Sequence, residues 1–123
     1  MFKKLLIILL GAGSLALSSC ADSGHHGDNY NFESKDFTAN RVVVDVVEHE
    51  SLAALHVQYE KDSDKSAKRD GKIVQAYTLY KYDEATNTNH CIIHIIDPAH
   101  KYVPEFIGHE FIHCIHGQWH PNQ

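Results

Sequence analysis

Three stretches of the chain have the hydrophobic pattern of β-strands. Residues 41–47 are rich in valine and are typical of a buried strand. Residues 72–82 alternate between two faces with a period of two, and residues 90–96 form another apolar run. Turn-forming residues between these last two runs predict that they pair as a β-hairpin.

Two further stretches have helical spacing. Ser51 can cap a helix over residues 52–61. Pro104 suits the first turn of a second helix, where its missing N–H is harmless, and this helix extends to about His116, where Gly117 is a natural stop. The order strand-helix-strand-strand-helix predicts an α+β domain, with a small antiparallel sheet that carries both helices on one face.

The N-terminus has the organisation of an export signal. Two lysines precede an apolar stretch, residues 5–17, that is too short to span a membrane comfortably. The run LSSC at residues 17–20 resembles the lipobox of bacterial lipoproteins, a family in which the cysteine is lipidated and becomes the mature N-terminus. The resemblance implies a signal peptide over residues 1–19 and a lipid anchor at Cys20.

The residues after the cysteine predict the location and the layout of the mature chain. In that family an alanine such as Ala21, in place of aspartate, favours the outer membrane over the inner one in a bacterium that has both. Residues 20–37 are polar and predict a lipidated, flexible tether. Residues 38–123 then form the folded domain, located at the cell envelope.

Two more cysteines, Cys91 and Cys114, remain in the chain. An exported protein meets an oxidising compartment, where two such thiols tend to form a disulfide worth on the order of 3 kcal/mol. The alternative, Cys114 as a zinc ligand, fits the helix less well because Cys114 falls on its apolar side.

Composition adds one strong feature. The chain has 11 histidines in 123 residues, roughly four times ordinary usage, and an excess of histidine favours metal binding. The formal net charge is −5. Because no stretch is basic enough to follow a phosphate backbone, nucleic acid is not expected as a partner.

The last predicted helix carries the residues expected to do chemistry. His109 and His113 lie one turn apart and point the same way, whereas an apolar stripe through Ile107 and Phe111 faces the core, so the histidines should face a cleft. The run HEFIH at 109–113 resembles the His-Glu-x-x-His motif of zincin metallopeptidases. The resemblance implies Zn²⁺ held by the two histidines, with Glu110 as the base that activates zinc-bound water.

A catalytic zinc normally has three protein ligands and one open position. His120 is the preferred third ligand, because Gly117 lets the chain turn back and because residues 117–120 match the Gly-x-x-His ending of the metzincin pattern. The chain has one residue more between His113 and this glycine than that pattern. The alternatives are His116, which lies one turn too far along, and a carboxylate.

Several other side chains are candidates for supporting roles. Asp97 is a possible acceptor for the second nitrogen of an imidazole ligand, as are backbone carbonyls. Tyr102 is a candidate for stabilising an oxyanion, although ordinary packing is the favoured alternative. For His94, His100 and Trp119, too, hydrogen bonding, solvation or packing is favoured over a role near the metal.

These residues together predict a zinc metallohydrolase anchored to the cell envelope. The favoured substrate is a peptide, from a protein or from the cell wall, because the hairpin edge can hold an extended peptide by strand addition. The first alternative is a non-catalytic zinc-binding lipoprotein for metal capture or interaction. The second is a structural lipoprotein with chance histidines.

Overall fold

The computed structural model describes residues 31–120 and, for residues 16–22, the backbone alone. The elements in chain order are β1 (Ala16–Asp22), β2 (Arg41–His49), α1 (Leu52–Ser63), β3 (Lys68–Arg69), β4 (Lys72–Asp83), β5 (Thr88–Ile96) and α2 (Pro104–His116). The predicted α+β class is confirmed. All five predicted elements are present, and their ends differ from the predicted ones by at most two residues.

The strands form one mixed sheet in the order β1-β4-β5-β2, with the short β3 beside β4. β4 and β5 form the predicted antiparallel hairpin, and β1 is also antiparallel to β4. β2 is parallel to β5, so the prediction of a purely antiparallel sheet is wrong at this strand. The hydrophobic pattern identified β2 as a strand but carries no information on its partner, which is distant in the chain.

The two helices cover opposite faces of the sheet, and the expectation that they share one face is wrong. Alternate residues of β5 show this: Ile92 and Ile96 belong to a cluster with Leu55 of α1, whereas Cys91 packs with Cys114 of α2. A sheet covered on both sides needs strands that are apolar on both sides. The nearly continuous apolar run of β5 meets that need.

The predicted helix ends are set by local contacts. The hydroxyl of Ser51 accepts a hydrogen bond from the backbone N–H of Ala54 at 3.0 Å, which caps α1 as expected. Pro104 occupies the first turn of α2, and Gly117 follows its last residue with a φ of 71°. Both helices therefore begin where the sequence indicates, and α2 also ends there, whereas α1 continues two residues beyond its predicted end.

A disulfide joins Cys91 of β5 to Cys114 of α2, with the two Cα atoms 5.8 Å apart. Both cysteines are buried. The side chain of Asn89 adds a hydrogen bond from its Nδ2 to the carbonyl oxygen of Cys114 at 2.6 Å. The sulfur of Cys114 is thus used in the disulfide and not as a zinc ligand, and α2 is fastened to the middle of the sheet.

The segment before β2, residues 31–40, is bonded to the C-terminal part of the domain. Its backbone N–H groups donate to carbonyl oxygens near the end of α2: Glu33 to Trp119 at 2.8 Å, Asp36 to His116 at 3.0 Å and Ala39 to Ile115 at 2.9 Å. The last residues of the tether predicted over residues 20–37 are therefore held against the domain.

Most of the predicted signal peptide, residues 1–19, lies outside the described residues, and its end falls with Cys20 in β1. In the part of the chain that the structure describes, none of the helices has the length and apolarity needed to cross a bilayer. The signal peptide and the lipid anchor stay predictions.

A histidine of β5 is buried within the apolar face that α1 covers. His94 is 5% exposed, and its ring stacks on that of Tyr77 with centroids 4.3 Å apart. Burial lowers the pKa of His94 to about 3, and the neighbouring His49 acts in the same direction. The ring is therefore neutral in the folded protein at neutral pH.

We expect the metal-free protein to lose stability in mild acid because of this histidine. Below pH 6.5, the ordinary pKa of histidine, the side chain of residue 94 takes up a proton in the unfolded chain but stays neutral in the folded protein. The free energy of unfolding that is present above pH 6.5 is therefore lost progressively as the pH falls toward 3. The slope has an upper limit of about 1.4 kcal/mol per pH unit. Urea denaturation in EDTA at several pH values should show a smaller loss for His94→Gln than for the wild type. Exposed His100→Gln is the matched control, and equal losses in all three proteins would contradict the prediction.

The disulfide gives a second expectation. Replacing both Cys91 and Cys114 by alanine should lower the free energy of unfolding by about 3 kcal/mol, because the unfolded chain regains the freedom that the bridge removes. Urea denaturation measures this loss. Reduction with dithiothreitol should destabilise the wild type by a similar amount and leave the double variant unchanged; an effect of the reductant on both proteins would count against a stabilising bridge.

Candidate metal centre

Three imidazole rings converge at the C-terminal end of the domain. His109 and His113 come from α2, and His120 comes from the residues that follow it. Their Nε2 atoms are 3.2 Å apart for His109 and His113, 3.0 Å for His113 and His120, and 2.9 Å for His109 and His120. The three side chains are only 3%, 0% and 7% exposed. The structure thus brings together the three predicted ligands in a group that can hold a metal ion.

The donor atoms of this group suit a divalent cation. Bonds of about 2.0–2.1 Å to a tetrahedral ion place ligand nitrogens about 3.3 Å apart, close to the separations seen here. His113 Nδ1 lies 2.8 Å from the carbonyl oxygen of Gly117, which can only accept a hydrogen bond. His113 therefore carries its proton on Nδ1 and directs the lone pair of Nε2 toward the other two rings.

Gly117 makes the return of His120 possible. Its φ of 71° lies in the left-handed region that favours glycine. A Cβ atom at this position would lie 2.8 Å from Oδ2 of Asp36 and 2.9 Å from the ring of Phe37. The same carboxylate oxygen of Asp36 accepts a hydrogen bond from the backbone N–H of Gln118 at 3.1 Å. The turn is thus held by the 31–40 segment, and the additional residue before Gly117 does not keep His120 from the group.

His116, the alternative third ligand, has a different environment. Its Nδ1 atom lies 3.2 Å from the carbonyl oxygen of Phe37 and 3.3 Å from the hydroxyl of Thr38. The ring also contacts Phe32 edge-on. His116 therefore faces the 31–40 segment, whereas His120 joins the other two histidines.

Glu110 is directed into the sheet. Its side chain is fully buried, and its Oε2 atom accepts a hydrogen bond from the hydroxyl of Thr78 in β4 at 2.6 Å. The same hydroxyl lies 3.3 Å from the backbone carbonyl of Glu110. The carboxylate, next in sequence to one predicted ligand, is therefore held in one orientation. Nothing in the spacing of β4 could have identified Thr78 as its partner, because the contact joins residues far apart in the chain.

Trp119 covers the histidine group. Its ring centroid lies 4.8 Å from that of His109, 5.5 Å from that of His113 and 4.6 Å from that of His120. Phe32 of the 31–40 segment stacks on Trp119 in turn, with centroids 5.9 Å apart. The expectation that the histidines face an open cleft is therefore wrong, because Trp119, with Phe32 stacked on it, lies over the three rings.

The apolar stripe predicted on α2 is only partly buried. Cys114 lies in the core as expected, but Phe111 is 44% exposed. The helix is rotated so that His109, Glu110 and His113 share the inner side with Cys114. The spacing of apolar residues along the helix cannot predict this rotation, because the rotation depends on which residues outside the helix pack over it.

The remaining candidates have other surroundings. Asp97 accepts a hydrogen bond on Oδ1 from the backbone of Ala99 at 2.9 Å, and Tyr102 is 64% exposed in the loop before α2. The sequence predicted either Asp97 or a backbone carbonyl as the acceptor for the second nitrogen of an imidazole ligand. For His113 the acceptor is a backbone carbonyl, that of Gly117. His94 lies on the face of the sheet that α1 covers, and His100 is exposed.

Comparison of the chain with known protein families, with curated proteins and with solved structures finds no match in any of the three. The function is therefore inferred from the residues of the site and their geometry.

We expect the His113→Ala protein to bind Zn²⁺ at its tightest site more than about 100-fold more weakly than the wild type, because loss of a ligand costs more than loss of an outer partner, which costs 10–100-fold. Competition with a chromogenic chelator, on protein without a histidine tag, measures this affinity. His116→Ala is the matched control on the same helix and should bind like the wild type. Equal affinities for all three proteins would show that the three rings are not the zinc site.

Proposed function

We propose that this protein is a zinc-dependent hydrolase of peptide bonds, held at the cell envelope by a lipid on Cys20. The observation that carries the proposal is the convergence of His109, His113 and His120. Glu110, next in sequence to the first of these ligands, supplies a carboxylate that accepts a hydrogen bond from Thr78 of the sheet. Three neutral nitrogen donors and an adjacent carboxylate are the set that metal-assisted hydrolysis requires.

The metal would be held by the three Nε2 atoms. When bound, Zn²⁺ lowers the pKa of a water molecule and polarises a substrate carbonyl. Zinc is preferred here because three imidazoles with one open position form one of its standard catalytic ligand sets. The hydrogen bond from His113 Nδ1 to the carbonyl of Gly117 makes the ring a better donor and fixes its orientation.

Glu110 is the residue proposed to move protons. With zinc bound, it would accept the proton of the attacking water and pass it to the leaving amine, as a general base and then a general acid. Thr78 donates to one carboxylate oxygen, which fixes the orientation of the group without neutralising it. The indole of Trp119 limits the access of bulk water to the three rings.

The position of β1 supports a peptide as the substrate. This strand pairs antiparallel with the edge of β4, and its Ser18 lies opposite Thr78, the partner of Glu110. Residues 16–19 precede the predicted cleavage point before Cys20. In a mature lipoprotein the corresponding edge of β4 is open, and an extended peptide can pair with it by strand addition beside the metal ligands.

A non-catalytic zinc protein is the second candidate, and burial of the site favours it. The three ligands and Glu110 are each at most 7% exposed, and Trp119 lies across them. Zinc sites without catalysis are typically closed, whereas a catalytic zinc keeps an open position. The two candidate functions differ in what they require of Glu110, because only hydrolysis needs a base.

We expect Glu110→Gln to retain zinc and to lower peptide hydrolysis by about 100-fold or more, since a general base contributes 10²–10⁴-fold. The assay uses the zinc-loaded mature chain with protein substrates and with cell-wall stem peptides. Exposed Glu105→Gln, in the first turn of the same helix, is the control and should keep full activity. Unchanged hydrolysis in Glu110→Gln would exclude the proposed base, and zinc binding without hydrolysis in the wild type would leave the capture function.

A further inference from the structure

The outer edge of β2 carries an open row of backbone groups beside apolar side chains. In the part of the chain that the structure describes, β2 ends the sheet on the side opposite to β1, and β5 is its only partner strand. Five of its nine residues are valines, and Val46 is 56% exposed. An open strand edge of this kind is a template for pairing with a further strand. The proposed hydrolase makes no use of this edge.

Backbone contacts at the two ends of β2 show which of its residues face outward. The N–H of Arg41 donates to the carbonyl oxygen of Asn87 at 3.3 Å, and the carbonyl oxygen of His49 accepts from the N–H of Asp97 at 2.8 Å. Because the direction of these groups alternates along a strand, the odd-numbered residues of β2 direct their backbone groups to β5. The even-numbered residues within 42–48 therefore direct theirs to the free edge.

The side chains of β2 give this edge an apolar face and a charged face. Val42 and Val44 pack in the cluster under α2, whereas Val47 packs in the cluster under α1. Side chains alternate between the two faces of a sheet, so Arg41 and Asp45 lie on the same face as Val47. The edge thus carries a positive and a negative side chain on one face, four residues apart.

Opposite charges four residues apart make this strand complementary to a second copy of itself. When two β2 strands pair antiparallel about a two-fold axis at Val43, Arg41 of each copy lies opposite the partner's Asp45. The same register places Val42 opposite the partner's Val44, so that the outward backbone groups of both residues meet as an antiparallel ladder requires. An axis at Val44 or at Asp45 would instead bring the two Asp45 carboxylates to diagonal or directly opposite positions, which is destabilising.

We propose that the protein forms a two-fold symmetric dimer through β2, with the two sheets joined edge to edge and Arg41 of each copy against the partner's Asp45. In this arrangement Val46 becomes the diagonal neighbour of the partner's Val42, which gives the exposed valine an apolar contact. The edge of β4 that pairs with β1 lies on the other side of the sheet and stays outside the dimer contact.

The test is the oligomeric state of the full chain in a mild detergent, measured by size-exclusion chromatography with light scattering over a range of protein concentrations. We expect a dimer in the wild type. Arg41→Asp alone and Asp45→Arg alone should each raise the dissociation constant about tenfold or more, because two attractive pairs become two repulsive ones. The double variant Arg41→Asp with Asp45→Arg should restore the dimer. Exposed Lys65→Asp, in the turn before β3, is the control and should dimerise like the wild type.

Cysteine cross-linking tests the register. Val43 lies on the proposed axis in a non-hydrogen-bonded pair, where the two Cα atoms are about 4.5 Å apart, a distance that a disulfide can bridge. Val43→Cys should therefore give a covalent dimer on mild oxidation. Val47→Cys, on the same face of the same strand, should give no more cross-linking than the wild type, which measures the contribution of Cys20.

Circular dichroism of each variant shows that it is folded. A wild type that is a monomer at every concentration, a dimer that Arg41→Asp leaves unchanged, or a double variant that does not recover would overturn the proposal. Cross-linking of Val47→Cys as readily as Val43→Cys would contradict the register. None of these results bears on the three-histidine centre or its proposed hydrolysis, which are tested by His113→Ala and Glu110→Gln.

Discussion

The attachment of α2 to the central hairpin decides where the chemistry of this domain lies. The disulfide from Cys114 to Cys91 and the hydrogen bond from Asn89 fix the helix over β5. Thr78 fixes it again over β4 through the carboxylate of Glu110. With its rotation and position set by these contacts, α2 has no freedom to turn its histidines toward solvent. The three imidazoles are consequently interior groups, which have to be satisfied by one another, by backbone or by an ion.

The same requirement holds on the other side of the sheet. Within the face covered by α1, Tyr77 donates a hydrogen bond to Asp62, and His94 and His49 share another between their rings. Leaving any of these groups without a partner would cost about 1–3 kcal/mol. A domain of this size has a small core. In this domain, titratable side chains occupy part of the core on both faces of the sheet.

Local features of the chain could be predicted from sequence, and non-local ones could not. Ser51, Pro104 and Gly117 act on their own neighbourhoods, so both helices were placed correctly. The hairpin followed from two adjacent apolar runs, and His120 joined the ligand group because one glycine permits the turn. The parallel pairing of β2 with β5 and the contact of Thr78 with Glu110 both join residues distant in the chain. Hydrophobic periodicity reports only which residues share a face.

The 31–40 segment packs against the end of α2 and is needed to position the three-histidine group. Gly117 has no room for a side chain because Asp36 and Phe37 occupy that space. The turn that returns His120 is therefore shaped by residues of the segment that precedes β2. A truncated chain beginning at β2 would keep the hairpin and both helices, yet it would lack the wall against which its third imidazole is positioned. The extent of the chain that the three-histidine group needs is set by this contact and not by the regular secondary structure alone.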